Sequence, residues 1–111
     1  MFPRIYNQKS LDALNKLQTY GDSLIRIERN IIYIENILNI NNYKELMSQI
    51  SQLNGNVDKI QYEGIDSIIT AELDLHSKQK IKKNRKELNS KCELIRQSII
   101  EIYTFLNKIN H

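Results

Sequence analysis

The sequence predicts an all-α protein, an antiparallel up-down-up three-helix bundle with long helices, and three observations predict it. Apolar residues recur at heptad spacing along nearly the whole chain. Breakers are scarce, with one proline, at position 3, and three glycines in 111 residues. Two short polar stretches, at residues 39–42 and 70–77, divide the apolar pattern into three. Alone, each helix exposes an apolar stripe; together the three bury one core.

The first helix is expected to start after Ser10, acting as N-cap, and to run to about residue 39. Its seam is Ala13, Leu17, Tyr20, Leu24, Ile27, Ile31, Ile34 and Leu38. Gly21 weakens it by about 1 kcal/mol relative to alanine without ending it. The joint Asn39-Ile40-Asn41-Asn42 is short, which argues for antiparallel neighbours.

The second helix spans about residues 43–69. Its seam begins as Leu46, Ile50, Leu53, Val57 and Ile60, then shifts to Ile65, Ile68 and Ile69. Asn54-Gly55-Asn56 is a turn-like tripeptide inside it, either a weak point or a break. The second joint, 70–77, contains Asp74 and His76.

The third helix is expected over about residues 77–109. Ile81, Leu88, Ile95, Ile102 and Ile109 hold one seam position, and Cys92, Ile99 and Leu106 the other. Arg85 stands on the same seam and breaks its apolar character. Such an arginine either snorkels to water or awaits a partner. Around it six of the nine residues 78–86 are basic: Lys78, Lys80, Lys82, Lys83, Arg85 and Lys86. A basic run at a helix start opposes the helix dipole, which favours anions there.

The length fits one domain, residues 1–111, with a core of its own that needs neither metal nor disulfide. The single cysteine, Cys92, reads as a small buried hydrophobe rather than a reactive thiol, and suits a reducing compartment. No apolar run reaches the roughly 20 residues that span a bilayer. The N-terminal Met-Phe-Pro-Arg-Ile-Tyr lacks the pattern of a signal peptide, so a cytoplasmic location is expected. The net charge of +3 is mild, and only the 78–86 run asks for an acidic partner.

Nothing in the sequence points to catalysis. His76 and His111 lack metal-ligand spacing, and there is no glycine-rich phosphate loop or nucleophile elbow. The expectation is a protein that is no enzyme, holds no cofactor or metal, takes no small-molecule substrate and works through a face of its bundle.

From Ile65 to Ile95 the order of residues becomes more specific. Ile65-Asp66-Ser67-Ile68 closes the second helix, and Ile81-Lys82-Lys83-Asn84-Arg85-Lys86, Leu88 and Cys92 follow the joint. Over residues 62–96 this resembles the BAG domain, the three-helix cochaperone module that promotes ADP release from DnaK-type 70-kDa heat-shock chaperones, with a spacing similar to its fungal members. The resemblance implies a partner, the chaperone ATPase domain, bound by the second and third helices. It implies that Asp66 pairs with basic groups of that partner, that Arg85 meets one of its carboxylates, and that Lys82 and Lys86 flank the contact. Glu93 stands where the family usually has glutamine, and Asn56 where it has a glutamate; the first adds charge and the second removes it. Two other readings stand beside this one. The heptads suit a coiled-coil assembly subunit, and the basic run suits RNA or ribosome binding, though no aromatic interleaves with its lysines.

Overall fold

The computed structural model describes residues 8–109, with side chains through 108. The expectations for the N-terminal six residues, for the side chain of Ile109 and for His111 lie outside the described residues. The described chain is all-helical, without strands: α1 (Gln8–Ile37), α2 (Tyr43–Asp58) and α3 (Leu75–Ile109), with one π-helical turn (Lys59–Gly64) and one 3-10 turn (Ile65–Ser67) extending α2. The molecule is elongated, 63 × 24 × 16 Å.

The seam of α1 packs as its spacing requires. Ala13, Leu17, Leu24, Ile27, Ile31 and Ile34 are buried, and Tyr20 and Leu38 pack against them half-buried. From α3, Ile81, Cys92, Ile95, Ile99, Ile102 and Leu106 enter the same core. From α2 come Leu46, Ile50 and Val57. Burying each large aliphatic side chain contributes about 1.5–3 kcal/mol, so this shared core outweighs local helix propensity.

Particular contacts tie the helices together. Ser10 meets Asp74, and Glu28 faces Lys91 at 3.8 Å. Ser51 meets Tyr103 at 2.9 Å, and Asp58 meets Arg96 at 2.7 Å.

The first joint is built by its asparagines. Asn39 Oδ1 accepts the backbone N–H groups of Asn41 and Asn42, at 2.8 and 3.1 Å. In return Asn42 Oδ1 accepts the Asn39 N–H at 2.8 Å, and Asn42 Nδ2 donates to the Ile37 carbonyl at 2.8 Å. These bonds replace the helical partners lost at the end of α1.

Four points of the sequence reading are corrected or decided by the structure. Ser10 is not an N-cap: it lies inside α1, fully buried, and donates its hydroxyl proton to Asp74 at 2.9 Å. Of the two readings of Asn54-Gly55-Asn56 the break is excluded, since Gly55 sits within α2. Instead the period changes beyond Asp58, where the Ile65 N–H donates to the Ile60 carbonyl, five residues back. A five-residue step from Ile60 to Ile65 is what the seam shift encodes. Ile69 is no core residue, being 77 % exposed; Leu73, from the joint, is buried in its place.

The fourth correction concerns the start of α3, which begins at Leu75 and so takes in His76. Asp74 caps it. Its carboxylate accepts the Ser77 N–H at 2.9 Å, the Ser77 hydroxyl at 2.8 Å and the Ser10 hydroxyl. Hydrogen bonds from the Ser77 backbone, then from its side chain, hold the Asp74 pKa below the usual 3.8. The anion also offsets the dipole mismatch of the basic run that follows.

Candidate functional site

The end of α2 and the N-terminal half of α3 face one another across a shallow cavity of about 440 Å³. Gln61, Lys82, Arg85, Lys86, Asn89, Ser90 and Glu93 line it. Four of the five partner-binding residues expected from the sequence are therefore on one surface. The fifth, Asp66, joins it through Asn89.

That connection is a short polar relay. Gln61 Nε2 donates to Asn89 Oδ1 at 3.2 Å, and Asn89 Nδ2 donates to Asp66 Oδ1 at 3.3 Å. The π turn makes it possible. By lengthening the helical step it turns Gln61 and Gly64 inward together, and both are buried. Gly64 fits the Tyr20 ring closely there, since a Cβ would lie 2.8 Å from it and something would have to shift. The following 3-10 turn then presents Asp66 outward, exposed.

Arg85 resolves neither as a fully snorkelling side chain nor as an idle one. It is half-buried, and its Nη1 makes a long 3.5 Å bond to the carbonyl of Ile68, which follows the 3-10 turn in extended backbone. A guanidinium has five N–H donors, and this bond uses one. Lys82 and Lys86 are exposed on either side.

The basic run does not act as one patch. Lys80 faces the other way, lining a groove with Leu14, Gln18 and Asp22 of α1. Helical geometry sends residues two apart to different faces, so the charge read along the sequence is divided in space.

Sequence reasoning missed Arg96, the most constrained cation of the site. Its Nε and Nη2 donate to Asp58 Oδ1 at 3.2 and 2.7 Å, and its Nη1 donates to Glu93 Oε1 at 2.9 Å. The guanidinium also lies 5.4 Å from the centre of the Tyr62 ring. Burial works against its charge, but the Asp58 hydrogen bond and the neighbouring carboxylates prevail, raising its pKa. The four-residue step from Asp58 to Tyr62 and the three-residue step from Glu93 to Arg96 were available signals. Glu93 thus shares the one positive charge of Arg96 with Asp58 and keeps an exposed side chain.

Cys92 lies beneath this surface, fully buried. Burial raises its thiol pKa above 9.0, which keeps it protonated and unreactive. Among the described residues, no group of His, Cys, Asp and Glu gathers to hold a metal ion. No described helix is long and apolar enough to cross a membrane. Comparison with protein-family models, with curated proteins and with solved structures finds no match to this chain.

Proposed function

We propose that the protein is a cochaperone of the BAG type, an up-down-up bundle that docks the ATPase domain of a 70-kDa heat-shock chaperone and promotes ADP release. One observation carries the reading. Asp66, Lys82, Arg85, Lys86 and Glu93, expected to meet the partner, gather on a single face made by the end of α2 and by α3. The bundle order is supported by the contact pairs. Ser10 meets Asp74 near the starts of α1 and α3, Glu28 meets Lys91 further along both, and Ser51 of early α2 meets Tyr103 of late α3.

No bond is made or broken on this chain in such a function. The closed ATPase domain grips ADP. A face that binds the open form more tightly shifts the population towards it and lowers nucleotide affinity by the same free energy. What the protein supplies is fixed charge on a stiff support. Arg85 is the main donor of the face, since a guanidinium can pair bidentately with a carboxylate where an ammonium cannot. Lys82 and Lys86 speed encounter with an acidic surface.

The test is release of a fluorescent ADP analogue from a 70-kDa heat-shock chaperone in stopped flow. The wild-type protein should accelerate release, and Arg85→Ala should abolish the acceleration. Because Arg85 also bonds the Ile68 carbonyl, a second variant is needed, Lys82→Glu/Lys86→Glu, whose side chains are exposed and whose circular dichroism should match wild type. Unchanged release at micromolar wild-type protein disproves the proposal.

A further inference from the structure

A second surface, made without α2, differs from the first in both shape and charge. Two adjoining cavities of about 230 and 310 Å³ share Glu35 and run along the groove between α1 and α3. Buried Ile31, Ile95 and Ile102 line them, and beside these Ile32, Leu94 and Phe105 stand open to solvent, 52 %, 68 % and 51 % exposed. Their charged lining is Glu28, Glu35 and Glu101, with no cation. Of the three carboxylates, Glu28 faces Lys91 at 3.8 Å.

We propose that this groove receives a basic amphipathic helix from a partner protein, docked as a fourth helix alongside α1 and α3. Solvent-open apolar side chains set among carboxylates are the counterpart of a helix with an aliphatic stripe flanked by lysine or arginine. The sign of the rim is opposite to that of the chain, whose net charge is +3, so the acidity belongs to this place and not to overall composition. From Glu28 to Leu38 the groove is about 15 Å long, close to three helical turns.

Charge also excludes the other occupants. A second copy docked through the same face would bring together two surfaces that each carry Glu28, Glu35 and Glu101, a pairing that like charge disfavours. The chain's own basic run cannot fill the groove of a neighbouring copy either. Its apolar residue Ile81 is buried in its own core and Leu88 packs against that core, so the run has no apolar stripe to offer.

The experiment uses the whole protein, isotope-labelled, titrated with a designed helical peptide of about five turns. The probe carries leucine at the a and d positions and lysine at e and g; a control peptide has glutamate in place of lysine. The lysine peptide should shift backbone resonances along residues 28–38 and 94–106. Its affinity should fall about tenfold or more in Glu28→Gln/Glu35→Gln/Glu101→Gln, and equally in Ile32→Ser/Leu94→Ser. Ile32 and Leu94 are more than half exposed, so that variant should keep the wild-type melting curve. Absence of binding at millimolar peptide, equal binding of the glutamate control, or shifts on residues 82–93 overturns the proposal. A concentration-dependent dimer lost in Ile32→Ser/Leu94→Ser overturns it in favour of a second copy. Arg85→Ala should leave peptide binding unchanged, which separates this surface from the chaperone-docking one.

Discussion

Along α1 the helical period is constant for 30 residues, whereas beyond Asp58 it changes twice within nine, through a six-residue π turn and a three-residue 3-10 turn. The constant region presents aliphatic side chains to the core and little else. The variable region buries a glutamine and a glycine, turns Asp66 outward and leaves the Ile68 carbonyl for Arg85. A regular seam maximises burial per residue. Departing from it sacrifices some burial and gives polar atoms positions that an α-helix cannot reach. The surface proposed to dock a chaperone lies over that departure.

The most direct way to expose the contrast is to remove a side chain from the constant region. Leu24 is fully buried, and Leu24→Ala leaves a cavity among aliphatic neighbours. The expected loss is about 2–5 kcal/mol of stability, read from urea unfolding. A loss below about 1 kcal/mol would show that α1 is not held by its seam.

The next largest effect should come from the variable region and from adding atoms. Gly64→Ala sets a Cβ 2.8–2.9 Å from ring carbons of Tyr20. Half-buried Tyr20 must move or the π turn must relax, at a cost of about 1–3 kcal/mol. Tyr20→Leu in the same chain should recover part of that loss, and lack of any coupling between the two changes would place the cost elsewhere.

A smaller effect is expected where the constant region meets the start of α3. Ser10→Ala removes one of the hydrogen bonds on the Asp74 carboxylate and should cost about 1 kcal/mol near neutral pH. The Asp74 pKa is lowered in the folded protein, so its contribution is fully present above 3.8, the ordinary value, and is lost as pH falls through the lower folded value. Thermal melts should therefore show wild type and Ser10→Ala converging in acid below about pH 4. Curves that stay parallel there would mean that the Ser10 hydroxyl does not act through the Asp74 charge.

How much of this was legible follows from the same contrast. The α1 seam and most of the α3 seam could be read because heptad spacing and burial coincide, as at Leu17, Leu24, Ile31, Ile95 and Ile99. Lys82, Arg85, Lys86 and Glu93 were named by the resemblance to the BAG domain, and the structure lines one cavity with all four. Gln61 and Asn89 could not be read so, because their meeting depends on the extra residue in the π turn. Ser10 misled for a related reason: serine before an apolar run is the usual cap signal, and only the tertiary contact with Asp74 makes it a buried donor instead. For Arg96 the step to Glu93 on its own helix was legible, but its contacts with Asp58 and Tyr62 across to the preceding helical stretch were not.

Gly55 sharpens the comparison with the smallest change. Asn54-Gly55-Asn56 has the composition of a turn, yet α2 passes through it because Leu46, Ile50 and Val57 are anchored on both sides. Nothing lies within 4 Å of a Cβ added at Gly55, and no described residue has positive φ. Gly55→Ala therefore costs no contact and reduces the conformational freedom of the unfolded chain, which should stabilise the protein by about 0.4–1 kcal/mol. The same substitution at Gly64 should have the opposite sign. Two glycines nine positions apart along one continuous helical stretch would then report, by sign alone, where the backbone only passes through and where it is held for a purpose. Destabilisation by Gly55→Ala in urea unfolding would show that α2 bends at this tripeptide, and would move the start of the irregular region about one turn towards the start of α2.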